Sequence, residues 1–193
     1  MNDELGSMRA ELLEVVRSKA LLQFDEPREL SSGEMSRDFV DVKRGLARGA
    51  DLWLGCAVMA RTVVGAGVGF NAVGGLTLGA DQFSHGVATY LADDCEWFVV
   101  RKKPKGRGTN QLIEGSQLDA SSRVLLVEDA VTTGGSIQQA YSHVVDTGAT
   151  VVAASTMVDR GDEAAGYFEE RGVAYLPVFT YRDLGIEPIG RRR

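Results

Sequence analysis

The chain has 193 residues, enough for one well-buried α/β domain and too few for two ordinary domains joined by a linker. Hydrophobic residues make up 44% and charged residues 25%, as in an ordinary globular protein, and no apolar stretch approaches the length needed to cross a bilayer. A formal net charge of −6 argues against broad, sequence-independent binding to nucleic acid, which depends on replacing phosphate counterions with Lys and Arg.

Residues 1–11 mix acidic and polar types and lack the basic-then-apolar layout of a secretory leader, so a cytoplasmic location is expected. Apolar residues at helical spacing predict a first helix over 8–19, with Ser7 as a possible N-cap. Leu30-Ser31-Ser32-Gly33 reads as a turn, and residues 38–42 alternate as a short strand would. A mostly apolar helix over 48–64 leads to a short buried strand at 70–73 that stops at Gly74-Gly75. From there strands at 96–101, 123–128, 150–158 and 173–181 alternate with helices at 80–92, 136–146 and 162–171. Apolar strands separated by helices indicate a parallel sheet covered on both faces, a three-layer α/β domain with right-handed crossovers. Ligands of such sheets bind beyond the carboxyl ends of the strands, which singles out the loops after residues 73, 101, 128 and 158.

One of those loops carries a dense chemical signal. Residues 124–127 are four consecutive apolar residues, Glu128 and Asp129 end the strand, and Ala130-Val131-Thr132-Thr133-Gly134-Gly135-Ser136 leads directly into a helix. The glycines let backbone amides approach a phosphate, Thr132, Thr133 and Ser136 add hydroxyl donors, and the helix contributes the positive end of its dipole. The carboxylates can accept hydrogen bonds from sugar hydroxyls. No Gly-Lys-Ser/Thr follows, so this is not a Walker loop, and the three spaced glycines of a dinucleotide site are absent. A second signal is cationic: Arg101, Lys102, Lys103, Lys105 and Arg107 put five cations into seven positions, a local anion site in an acidic protein. Arg191, Arg192 and Arg193 read as a solvated tail. His85 and His143 lack metal or triad partners and read as structural, Trp53 and Trp97 as core or interface packing. Cys56 and Cys95, with no Cys or His at ligand spacing, read as small buried hydrophobes of a reducing compartment.

The segment 124–136 resembles the phosphoribosyl pyrophosphate motif of type I phosphoribosyltransferases: hydrophobic strand, acidic pair, small loop, Thr-Gly-Gly. The resemblance implies that Glu128 and Asp129 contact the ribose hydroxyls, directly or through Mg²⁺, and that residues 130–136 wrap the 5′-phosphate. It extends over most of the chain. The loop from Arg101 is similar to the Arg-Lys-x-x-Lys-x-His-Gly loop of orotate phosphoribosyltransferases, with Arg101, Lys102, Lys105 and Gly108 matching and Arg107 standing where the family has His. Arg neutralises phosphate but cannot exchange a proton near neutral pH. Residues 73–81, with Thr77, Leu78 and Gly79, look like the family's pyrophosphate loop, and 30–33 with 39–41 like its N-terminal hood. Gln111 to Gly115 continues the mobile loop as in orotate enzymes, and Arg160 after the strand at 150–158 matches the Arg that grips the base's carboxylate.

What the resemblance implies is a Rossmann-like three-layer fold in one domain, with a small hood over about 1–45 and a core over about 46–182. The implied activity is transfer of phosphoribosyl from phosphoribosyl pyrophosphate to orotate, giving orotidine 5′-monophosphate and pyrophosphate on the way to UMP. Mg²⁺ is the implied cofactor, held through the pyrophosphate with Glu128 and Asp129 as candidate ligands. Lys105, Arg107 and Asp129 are the implied catalytic residues, Thr132 and Arg160 the orotate contacts, and a homodimer with shared active-site loops the assembly. Two rivals keep the fold. One transfers the sugar to a purine or another base, and a purine, unlike a carboxylated base, needs no cation such as Arg160; the other is a ligand-sensing regulator that binds nucleic acid, a reading that Arg107 permits and the acidic net charge weakens.

Overall fold

The apolar runs from residue 72 onward form the strands of a seven-stranded sheet, as seen in the computed structural model, which describes residues 2–30, 33–92, 95–104 and 111–190. At its centre β3 (Ala72–Leu76) lies between β4 (Glu96–Val100) and β6 (Arg123–Val131), parallel to both, and β7 (Thr150–Asp159) continues beyond β6. The order β5-β4-β3-β6-β7-β8 follows from two crossovers of opposite direction. From β3 the chain passes through α4 (Asp81–Leu91) to β4 on one side; from β6 it passes through α5 (Gly135–Val145) to β7 on the other. The strand order therefore reverses between β3 and β6, and a crevice opens there above their carboxyl ends.

Alternation along β6 builds the two cores. Leu125 and Val127 face one side with Met59, Val63 and Phe83, under α1 (Asn2–Val15), α3 (Gly49–Gly65) and α4. Val124 and Leu126 face the other with Phe98, Ile137 and Phe168, under α5 and α6 (Glu163–Glu169). All these side chains are fully buried, each contributing about 1.5–3 kcal/mol of transfer free energy. Both faces are covered, so the strands read as continuous apolar runs. No described helix is long and apolar enough to cross a membrane.

The structure departs from the sequence expectations in instructive places. The first helix runs from Asn2, ends in a π-helical turn at Val16–Ala20, and is followed by β1 (Leu21–Glu29), which pairs antiparallel with β2 (Met35–Val40). β1 is mostly exposed along its length, so it carries no inside-outside pattern to read. The strand expected to stop at Gly74 continues through both glycines to Leu76. A Cβ on Gly74 would strike the Phe98 side chain, and one on Gly75 would lie 2.7 Å from Ala80 Cβ, so these glycines permit close packing inside the strand. The expected strand at 173–181 is two short ones, β8 (Ala174–Tyr175) and β9 (Phe179–Thr180), both parallel to β7, and then α7 (Tyr181–Leu184). Pro177 lies between them and has no N–H to give the ladder. A short antiparallel edge strand, β5 (Ile113–Gly115), pairs with β4 where a loop was expected.

Trp53 and Trp97 are not core residues: they are 58% and 42% exposed. Trp53 meets the Tyr90 ring edge-on at 6.0 Å, and Trp97 packs on the His85 ring at 4.4 Å. Cys56 and Cys95 are buried and free, and burial pushes both thiols up to about 12, so they behave as the small inert hydrophobes expected.

Candidate functional site at the β3–β6 crevice

Glu128 and Asp129 lie at the carboxyl end of β6, which runs on to Val131, and both are buried. Burial first, and the Asp129 charge second, raise the Glu128 carboxyl well above the usual carboxylate range. Asp129 Oδ1 accepts from the Ala130 N–H at 2.8 Å, and Oδ2 accepts from the Lys43 ammonium. Lys43 comes from α2 (Val42–Gly45), a single turn capped by Asp41, whose side chain accepts from the Arg44 N–H at 3.0 Å. The sequence reading did not place Lys43 in a site. It stands 86 residues from its partner, and no local spacing marks such a contact.

The end of β3 brings the second loop. The Thr77 N–H donates to Val100 O at 2.8 Å and its hydroxyl to Asp81 at 2.8 Å, which fixes the turn. A cis peptide joins Thr77 to Leu78, whose side chain is exposed. Gly79 then passes directly over the acidic pair: a Cβ there would come within 2.7 Å of Asp129 Oδ1 and closer still to Glu128. Only glycine brings the backbone this near two carboxylates. These residues, with Lys43, Arg101, Lys102 and Ser136, line a cavity of about 890 Å³.

A smaller cavity of about 300 Å³ adjoins it over residues 130–137 and shares Lys102, Glu128, Ala130 and Ser136 with the first. Its floor is the start of α5. Gly134 takes the left-handed conformation (φ 83°) that turns the loop into the helix, and no side chain caps that helix. Around Gly135 a Cβ would meet nothing within 4 Å, so the start of the helix, where amides lack intrahelical partners, is open. Thr132, Thr133 and Ser136 line the same cavity.

Of the cationic segment, Arg101 and Lys102 lie on the large cavity; Arg101 pairs with Glu114 of β5 at 2.9 Å. Lys105 and Arg107, the catalytic candidates of that segment, lie outside the described residues.

Arg160 follows β7 and lines neither cavity. It is 2% exposed, and its guanidinium donates to Asp38 O at 2.8 Å and to Ser36 Oγ at 3.3 Å, tying β2 to the sheet. Its Nε is buried with no partner among the described residues. A buried cation held by one carbonyl and one hydroxyl has capacity left for an anion. Neighbouring Asp159 is also buried, and burial pushes its carboxyl up to about 6, with the Gly161 N–H and the Tyr175 hydroxyl acting the other way. Unfolded, this carboxyl titrates near 3.8, so the folded chain keeps a proton that the unfolded chain has lost between about pH 4 and 6. Stability falls as pH rises through that window. Asp159→Asn is therefore expected to stabilise the fold at pH 8 by up to about 3 kcal/mol and to change little at pH 4. Urea unfolding at both pH values checks this; an equal shift at the two would refute it.

The family model described as the phosphoribosyl transferase domain matches residues 66–174, the stretch from before β3 to β8 that supplies both loops of the crevice. A protein of Mycobacterium tuberculosis named orotate phosphoribosyltransferase is 38% identical over 183 residues, covering 94% of this chain and 99% of the relative. A crystal structure of the Mycobacterium tuberculosis enzyme with Fe(III) dicitrate superposes with a TM-score of 0.80 at 37% identity, covering 93% of this chain and 99% of that one. Another, in complex with 5-phospho-alpha-D-ribosyl 1-diphosphate, gives a TM-score of 0.75 at 36% identity over the same shares. A glycine laid over an acidic pair and an uncapped helix start beside it, matched by likeness along nearly the whole chain, have one account: the chain belongs to the phosphoribosyltransferase family.

Proposed function

We propose that this chain is an orotate phosphoribosyltransferase, moving phosphoribosyl from phosphoribosyl pyrophosphate to orotate, with pyrophosphate and orotidine 5′-monophosphate as products on the way to UMP. The observation that carries the reading is the pair of joined cavities at the β3–β6 crevice, a smaller one over the start of α5 and a larger one lined by cations and the acidic pair. The 5′-phosphate sits on the amides of the α5 turn with the hydroxyls of Thr132, Thr133 and Ser136. Asp129 accepts from the ribose hydroxyls, and the backbone of Thr77, Leu78 and Gly79 faces the pyrophosphate with Arg101 and Lys102. Thr132 and Arg160 hold orotate, whose carboxylate suits a planar guanidinium with an unused donor. Lys105 and Arg107 complete the cover over the pyrophosphate, excluding water that would hydrolyse the sugar. Catalysis rests on positioning and charge, with no protein nucleophile.

Mg²⁺ fits this donor set. Among the described residues no group of three or more His, Cys, Asp or Glu side chains could hold a metal, and the crevice offers two adjacent carboxylates, the layout by which Mg²⁺ binds through one or two carboxylates plus substrate phosphates. When bound it supplies positive charge to the pyrophosphate. The enzyme works in the cytoplasm as one domain, hood over about 1–45 and core over about 46–182, and pairs with a second copy that shares the mobile loop; exposed Trp53 and Trp97 provide apolar area for that contact.

The test is pyrophosphate release from phosphoribosyl pyrophosphate and Mg²⁺ with orotate, uracil, hypoxanthine or adenine supplied separately. Release with orotate alone is expected. No release with orotate would overturn the reading, and release with a purine would replace the acceptor.

A further inference from the structure

α2 is one turn long and held on every side. Val42 and Gly45 are buried, the Gly45 N–H donates to Asp41 O at 2.9 Å, and a Cβ on Gly45 would lie 2.5 Å from Ala20 Cβ. An anchored turn aims its outward residue. Lys43 is that residue, and its ammonium reaches across to Asp129 Oδ2. Among the described cations lining the large cavity, Lys43 is the one contributed from before β3; Arg101, Lys102 and Lys103 all follow β4.

This places two claims on one oxygen atom. Asp129 is the carboxylate assigned above to the ribose and to a divalent cation, yet its Oδ2 accepts from an ammonium. A divalent cation and an ammonium repel, so a metal that takes this carboxylate weakens the hold of the lysine on it. Lys43 is half exposed on a flexible four-carbon stem, so it can leave Asp129 without unfolding anything, and the cavity it lines holds the loop of Leu78 and Gly79 that faces the pyrophosphate. We propose that Lys43 is a further substrate-binding residue: it occupies Asp129 in the free protein and passes to the pyrophosphate when Mg²⁺ and phosphoribosyl pyrophosphate take Asp129 over. The hood thereby takes part in binding the leaving group, and the free site is kept near neutral until substrate arrives.

The inference rests on the phosphoribosyl pyrophosphate reading and predicts effects of opposite sign. In Lys43→Met, Mn²⁺ alone binds at least about 3-fold tighter than in wild type, because its competitor is gone, while phosphoribosyl pyrophosphate with Mg²⁺ binds about 10-fold weaker. KM for orotate stays within about 2-fold, and Lys43→Arg, which keeps the charge, recovers most of the pyrophosphate affinity. Mn²⁺ is followed by electron paramagnetic resonance and the sugar by calorimetry, with Lys43→Gln replacing Lys43→Met if the latter does not fold. Unchanged sugar affinity, or Mn²⁺ affinity that is unchanged or weaker, overturns the inference. Wild-type protein that binds no phosphoribosyl pyrophosphate would end the underlying reading instead.

Discussion

Asp129→Asn is expected to lower kcat/KM for phosphoribosyl pyrophosphate by about 10²–10³-fold, the cost of removing one charged group aimed at the reacting sugar. Glu128→Gln, one residue away, is expected to cost less than about 10-fold. The asymmetry comes from their surroundings. Asp129 accepts from Lys43 across the cavity, whereas Glu128 lies against the Gly79 backbone and burial favours its neutral form, the one an amide mimics. Nor can Glu128 take over in the Asp129→Asn protein. Its raised pKa is due to burial before it is due to the Asp129 charge, so removing that charge leaves the larger cause in place. Stability should barely change, since the lost ion pair involves a half-exposed lysine and contributes at most about 1 kcal/mol. Steady-state kinetics with thermal melts on both variants decide the matter. Equal losses in the two would mean that the carboxylates act as a unit, and a fully active Asp129→Asn would remove the acidic pair from the mechanism.

The crevice was readable in the sequence where its chemistry is contiguous. Strand, acidic pair, Thr/Gly loop and helix start occupy residues 124–136 without interruption, because a phosphate site at a helix N-terminus is built from neighbouring amides. What the sequence hid is long-range or carried by backbone. Lys43 and Asp129 meet only because α2 is wedged against Ala20, and a single lysine beyond a strand has no period or spacing to betray it. The hold of Arg160 on β2 runs through the Asp38 carbonyl, a group every residue possesses. Gly74 and Gly75 were read as the end of a strand because glycine ordinarily weakens one; packing against Phe98 and Ala80 reverses that rule. β1, mostly exposed and irregularly paired with β2 between Gln23 and Arg28, has no apolar face for alternation to reveal.

Arg160→Ala should abolish use of orotate, by about 10³-fold or more in kcat/KM, and leave binding of phosphoribosyl pyrophosphate within about 3-fold. A buried guanidinium with an open Nε suits a planar carboxylate, and removing it leaves that anion without its cationic partner. The same substitution strips the Asp38 carbonyl of its donor and loosens β2, at a cost of about 1–3 kcal/mol in stability. Two roles are thus mixed in one residue, and Ser36→Ala separates them. It removes the weaker hood contact, at 3.3 Å, and keeps the guanidinium. If Arg160 acts on the base, Ser36→Ala loses less than about 10-fold with orotate, and Arg160→Lys rescues poorly because a point charge cannot replace the fork. If Ser36→Ala proves as damaging as Arg160→Ala, the arginine matters as the pin of the hood, and the carboxylate of the base is held by another group.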